Sequence, residues 1–179
     1  RGCAERRWRR GHRPTCRCLI GYPRNVRLLC VDFGDQRTGL ATGDMITGLV
    51  SPAGVLEIPV RIEGGAALIR ACAAAAREHD ARALVVGLPL NMDDSEGPRA
   101  RLVRGLAQRL CDATGLEVHL QDERLSSVQA DWTMQRSGLS RGQKKSRRDA
   151  LAAATILGDF FARQRTQATR QEPNEDRPA

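Results

Sequence analysis

The alternation of apolar and polar positions predicts a regular succession of elements. Val26 to Phe33 is a compact apolar run stopped by Gly34, the signature of a buried strand. Thr38 to Thr42 predicts a second strand. Only a short gap containing Gln36-Arg37 separates the two, so they should pair as a hairpin. Val50 to Pro59 predicts a third strand, weakened by Pro52 and Gly54. Ala66 to His79 places Leu68, Ile69, Cys72 and Ala76 on one helical face. Ala83 to Val86 predicts a buried strand ended by Gly87 and Pro89. Ser95-Glu96-Gly97-Pro98 reads as a helix entry, and Leu102, Val103, Leu106 and Leu110 follow at helical spacing. Glu117 to Gln121 predicts a short strand. Ser126 or Ser127 can cap a helix running to Gly138, and a last helix is predicted from near Arg148 to Phe161.

Three strands able to pair antiparallel, followed by alternating helices and strands, specify an α/β fold. The expected architecture is a mixed five-stranded sheet with helices on both faces, in one domain spanning 26–162. Residues 1–25 are dense in Arg, Gly and Pro and lack periodicity. Residues 163–179 are polar and contain Pro173 and Pro178. Both ends are expected to be disordered tails. There is no internal repeat.

Charge changes this picture less than its total suggests. The net charge is +8, but residues 1–26 hold eight Arg and one Glu, and the stretch 27–162 is neutral. The excess belongs to the tail and says little about the folded part. Within that part, Arg141, Lys144, Lys145, Arg147 and Arg148 crowd a stretch without acids. Cys30, Cys72 and Cys111 lie in apolar runs and behave as small hydrophobes. Cys3, Cys16 and Cys18 with His12 fall in the basic tail. One Cys-x-Cys without a second matched pair does not make a zinc motif, so incidental thiols are the better reading. No apolar run is long enough for a membrane span and no secretory pattern follows the N-terminal arginines, so a soluble cytoplasmic protein is expected.

Candidate chemistry rests on three acids, each where an apolar element ends or begins. Asp32 closes Leu28-Leu29-Cys30-Val31. Asp122 and Glu123 close Val118-His119-Leu120-Gln121. Asp149 precedes the stripe Ala152, Ala153, Ile156 and Phe160, which sets it on the sheet-facing side of its helix. Singly, each has a plain explanation: a turn residue for Asp32, a surface pair with Arg124 for Glu123, a helix N-terminal charge for Asp149. Together, converging carboxylates repel one another, and divalent cations relieve that repulsion. Two such ions about 4 Å apart can activate water and stabilise the leaving oxygen of a phosphodiester. The basic loop 138–148, directly before Asp149, is placed to contact phosphates. Nothing competes: no Gly-x-Ser-x-Gly turn and no Walker A sequence occurs.

Four segments resemble a known family. They are Val31-Asp32-Phe33-Gly34-Asp35-Gln36-Arg37-Thr38-Gly39-Leu40-Ala41; Val85-Val86-Gly87-Leu88-Pro89-Leu90-Asn91-Met92-Asp93 with Glu96-Gly97-Pro98-Arg99-Ala100; Asp122-Glu123-Arg124-Leu125-Ser126-Ser127; and Asp149-Ala150-Leu151-Ala152-Ala153 with Ile156-Leu157. In this order, across roughly 27–162, the chain resembles the pre-16S rRNA nucleases of the YqgF or RuvX type, related to Holliday-junction resolvases. The resemblance implies a ribonuclease-H-like fold with three antiparallel strands followed by two parallel ones. It implies a role in maturing the 5′ end of precursor 16S rRNA, with ribosomal particles as possible surroundings. It also selects Asp32, Glu123 and Asp149 as the catalytic and metal-binding acids, where the residues alone leave Glu123 and Asp122 open. Gln36 stands where the family often has Lys, and Asp94 where Gly is common.

The expectation is phosphodiester hydrolysis assisted by Mg²⁺ or Mn²⁺, two ions in all. Arg37, Arg124, Arg141, Lys144, Lys145, Arg147 and Arg148 would hold the RNA backbone. Branched DNA is the rival substrate. A non-catalytic RNA-binding assembly factor is the rival function. An actin-like ATPase ranks below it, because its clasp needs two related domains and this chain has room for one.

Overall fold

The computed structural model describes residues 26–93, 95–123 and 141–171, and in the last stretch the side chains of 147–167. The segment 1–25 with Cys3, His12, Cys16 and Cys18, residue Asp94, Arg124, the helix expected between Ser126 or Ser127 and Gly138, the side chains of Arg141, Lys144 and Lys145, and the stretch 172–179 lie outside those residues.

The elements are β1 (Arg27–Phe33), β2 (Thr38–Asp44), β3 (Val50–Leu56), α1 (Ala66–Glu78), β4 (Ala83–Leu88), α2 (Pro98–Thr114), β5 (Glu117–Asp122) and α3 (Arg141–Gln171). One sheet runs in the order β3-β2-β1-β4-β5. β2 pairs antiparallel with both β1 and β3, whereas β4 is parallel to β1 and β5 to β4. This is the ribonuclease-H-like arrangement of three antiparallel strands followed by two parallel ones.

Strand alternation divides the core into two layers. Leu29, Val31, Phe33, Leu84 and Val86 face α1 and α2, where Leu68, Cys72, Val103, Leu106 and Leu110 cover them. Leu28, Cys30, Ala41, Ala83 and Val85 face α3, against Ala153, Ile156, Leu157, Phe160 and Phe161. Asp32, Gly39 and Gly87 therefore fall on the α3 face.

Three elements differ from their sequence patterns. β3 carries Pro52 and Gly54 at an irregular step, where Leu40 pairs with Gly54 and Ala41 with Pro52. It is an edge strand, and edges and bulges tolerate Pro and Gly. β4 continues through Gly87 to Leu88, because that glycine is a ladder position kept bare for a neighbour. The largest correction concerns α3. The stretch expected to be a loop up to Arg148 is helical from Arg141, and the helix runs past Phe161 to Gln171. Gln, Lys and Arg are good helix formers, so the basic run extends the helix despite Gly142. Beyond Phe161 the same propensity carries Arg163, Gln164 and Arg165 onward, and α3 ends two residues before Pro173, where the residue preceding a proline disfavours helix. Polarity there marks a solvated helix, so 163–171 is not the disordered tail expected. Among the described residues no helix is long and apolar enough to cross a membrane.

β2 lets α3 approach closely because its α3 face is Gly39, Ala41 and Gly43. A Cβ at Gly39 would overlap the backbone carbonyl oxygen of Asp149, and one at Gly43 would press on the Phe161 ring. Contact at Gly39 is backbone on strand, so neither side can yield by a rotamer change. Gly39→Ala should lower unfolding free energy by about 1–3 kcal/mol, the usual scale of overpacking. Urea denaturation measures it, and a wild-type midpoint would show that α3 does not rest there.

Candidate active site

Asp32 is the last but one residue of β1 and lies opposite Gly39 of β2. On its other side Val31 pairs with Val86 of β4, so Gly87 is the next position across from it. Asp32 is thus flanked by two glycines, and each glycine admits a different acid. Over Gly39 comes the Asp149 turn of α3. Over Gly87 comes the Glu123 carboxylate, whose Oε1 occupies the place a Cβ would take. Glu123 is delivered there by β5: its N–H donates to the Leu88 carbonyl at 3.3 Å, one step beyond the last paired residues of β4 and β5.

The acids form a row across the sheet, Asp149 then Asp32 then Glu123. The glycines that admit the outer two stand on strands about 10 Å apart, two inter-strand spacings. Among the described residues no group of three or more His, Cys, Asp or Glu side chains is arranged to hold a metal ion, so a cation here would rest on one or two carboxylates, as Mg²⁺ commonly does. The row lies at the carboxyl ends of the parallel strands β1, β4 and β5, where open α/β sheets bind ligands.

Electrostatics register the crowding. The Asp32 carboxyl is pushed up to about 6, first by burial and then by Asp149, against a downward pull from Arg99. Glu123 is pushed up to about 7 by burial and then by Asp32, again opposed by Arg99, with Asp122 adding a smaller push. Asp149 Oδ2 is buried and has no hydrogen-bond partner among the described residues. An orphaned carboxylate oxygen beside a second carboxylate is costly unless a cation reaches both. The donor set is all oxygen, as Mg²⁺ and Mn²⁺ prefer. The residues fit a divalent cation.

A cleft of about 250 Å³ opens beside Asp32 and Asp149, lined also by Gly34, Asp35, Gln36, Arg37 and Gly39. Arg37 pairs with Glu57 at 3.2 Å through Nη2. Its Nη1 is buried without a partner among the described residues. One wall therefore offers an unsatisfied acceptor and the other an unsatisfied donor. Such a pair suits a cation bound to an anionic oxygen ligand.

The structure thus brings Asp32, Glu123, Asp149 and Arg37 to one end of the sheet. Arg147 and Arg148 are exposed on α3 just before Asp149. The plain explanation for Asp149 falls away, since the helix starts eight residues earlier at Arg141 and this charge is not at its N-terminus. Arg99 was not among the expected site residues. From the first turn of α2 it donates to the Asp35 carboxylate and to the Phe33 carbonyl, and it is the cation that lowers both Asp32 and Glu123. The available signal was its place one residue after Pro98, where a helix begins just beyond the end of β4.

Several known proteins are similar to this chain. Residues 26–163 match the family model described as RuvX, Holliday junction resolvase. A protein of Anaeromyxobacter sp. (strain K) named "Putative pre-16S rRNA nuclease" is 45% identical over 138 residues, covering 77% of this chain and 98% of the relative. One of the same name from Myxococcus xanthus (strain DK1622) is 37% identical over 150 residues, covering 84% and 97%. Among solved structures, T. thermophilus RuvC in complex with Holliday junction substrate superposes with a TM-score of 0.49 at 14% identity, covering 77% of this chain and 95% of that one. By the family match and the identity to its curated relatives, this chain belongs to the RuvX family.

Proposed function

We propose that this protein is a metal-dependent nuclease that hydrolyses phosphodiester bonds in the 5′-end maturation of precursor 16S rRNA, acting in the cytoplasm. The observation that carries this reading is the buried Asp149 Oδ2, without a hydrogen-bond partner among the described residues, beside an Asp32 carboxyl raised by burial and by Asp149. The relatives' names supply the substrate, and family membership supports the reaction class.

Asp32, Asp149 and Glu123 would hold two Mg²⁺ or Mn²⁺ ions. Bound cations of this kind activate a water and neutralise charge on the phosphate under attack. Arg37 would hold a phosphate oxygen through its free Nη1–H. Arg147 and Arg148, with Arg124, Arg141, Lys144 and Lys145, would neutralise phosphates further along the strand. In the reaction a water oxygen bonds to phosphorus, the ester P–O bond breaks and the departing oxygen takes a proton.

Asp32→Asn keeps the shape and removes the central charge. It should reduce cleavage of precursor rRNA by on the order of 100-fold or more, as loss of a preorganised charge at a reacting phosphate does. The assay runs wild type and variant side by side on precursor rRNA and on branched DNA, with and without divalent metal. Undiminished cleavage by clean Asp32→Asn would refute the assignment, and faster turnover of branched DNA would move the substrate to the resolvase class.

Acidity gives a second test. With limiting divalent cation, activity should rise through pH 6 to 7, as Asp32 and Glu123 lose the protons that compete with metal. More cation should move that rise to lower pH, and a flat profile at limiting cation would contradict it. Stability without metal should run the other way. Both carboxyls stand above their ordinary values of 3.8 and 4.5 in the folded protein. The folded state therefore holds more protons between about pH 4 and 7, and stability falls as pH rises through that window. In EDTA at pH 8, Asp32→Asn should be the more stable protein by about 3 kcal/mol, following the size of the Asp32 shift. A lower melting temperature for the variant under those conditions would contradict the buried repulsion.

A further inference from the structure

A second and larger cavity lies around the corner of the β1–β2 turn from the acidic row. It encloses about 680 Å³ and shares Asp35 and Gln36 with the cleft beside Asp32. Its walls are α2 and the segment from Val60 to Gly64. Two bonds hold them in place. The Val60 N–H donates to the Asp35 carbonyl at 3.2 Å, and Arg109 Nη1 donates to the Gly64 carbonyl at 2.5 Å.

The lining is mixed. Arg61, Arg101 and Arg109 supply cations, and the one acid, Asp35, is already occupied by Arg99. Arg61 and Arg101 are exposed, with no ion pair among the described residues. Arg101, Gly105 and Arg109 follow one another at four-residue steps, so they form one stripe of α2, about 12 Å long at the helical rise. The neighbouring stripe is Leu102 and Leu106, and Leu102 leaves 46% of its surface exposed. At Gly105, between the two arginines, a Cβ would meet nothing within 4 Å. A glycine in mid-helix normally costs stability, and nothing packs against this one to explain it.

Cations around an apolar floor, in a concavity of nucleotide size, match an unpaired nucleotide better than a duplex. Phosphates meet the guanidinium groups, and an unstacked base can lie on an arginine plane and on Leu102. A duplex keeps its bases stacked and could offer only its backbone. With aromatics at 3% of the sequence and none in this lining, arginine planes are the stacking surface available.

We infer that this α2 cleft is a binding subsite for the single-stranded RNA flanking the bond to be cut, reached over Asp35 and Gln36 from the carboxylate row. The subsite deepens the nuclease reading and rests on it for the identity of the strand. None of its residues belongs to the acidic row.

The test uses the full chain carrying Asp32→Asn, so that RNA is bound without turnover, and a fluorescent single-stranded oligoribonucleotide read by anisotropy. A blunt RNA duplex is the control. Arg61→Gln with Arg101→Gln should weaken single-strand binding several-fold and flatten the salt dependence by roughly 0.7 in log–log slope per charge removed. Gly105→Leu should fill the cleft and weaken single-strand binding, with duplex binding little changed. Its melting temperature should equal or exceed that of its parent, because leucine is the better helix former. Single-strand binding by Gly105→Leu and by the double arginine variant equal to that of the parent overturns the subsite. A loss that falls equally on the blunt duplex overturns it too. The nuclease reading fails separately: undiminished cleavage by Asp32→Asn on the otherwise wild-type chain would sink that reading while leaving the RNA isotherms to judge the cleft.

Discussion

Carboxylates set side by side at the edge of an apolar sheet repel one another, and each loses hydration as well. The local architecture keeps them there. β1 carries Asp32 to the end of a strand whose other inward residues are Leu28 and Cys30. Bare positions on both neighbouring strands then admit one further acid each. A larger residue at Gly39 would push the Asp149 turn away, and one at Gly87 would displace Glu123. Strand pairing alone does not call for glycine at either position, since a strand interior is weakened by it. A ligand that draws the acids together gives it a reason.

Arg99 and Arg37 show how that tension is held while no cation is counted. Arg99 lies on the same end of the sheet, tied to Asp35 and to the Phe33 carbonyl. It lowers both Asp32 and Glu123 against the push of burial. Arg37 keeps one nitrogen on Glu57 and leaves the other buried and unsatisfied. An arginine bonded directly to Asp32 would satisfy the carboxylate and compete with a metal. Holding the guanidinium groups one partner away leaves the acids available and still lowers the net charge of the cleft.

Much of this was legible in the sequence, and the parts that were not have physical causes. Strand and helix periods located the five strands and the three α-helices described, because runs such as Leu28 to Val31 and Leu102 to Leu110 carry clear patterns, while the short 3-10 turn at Ile62–Gly65 has no period to reveal it. The acids stood out because each interrupts or borders an apolar run. Helix ends were misread where polarity was taken for disorder. Lys144, Lys145 and Arg163 are helix formers that add no apolar position to the pattern, so period alone does not reveal them. Gly87 was read as a strand stop. Its function as a vacancy for Glu123 depends on a residue 36 positions away, which no local pattern encodes. Arg99 escaped for the same reason, since its partners Phe33 and Asp35 lie across the sheet.

The position of α3 joins these observations. A helix starting near Arg148 would have put Asp149 in its first turn, where an acid is stabilised by the backbone and needs no other explanation. The observed helix begins at Arg141, so Asp149 sits in regular helix with its own N–H groups already engaged. Its carboxylate gains nothing from the helix end, and Oδ2 finds no donor among the described residues. The basic residues that lengthen the helix thus remove the acid's local support and, in the same stroke, set Arg147 and Arg148 on the exposed turn beside it. One stretch of chain both leaves a carboxylate in need of a cation and presents positive charge to whatever phosphate accompanies that cation.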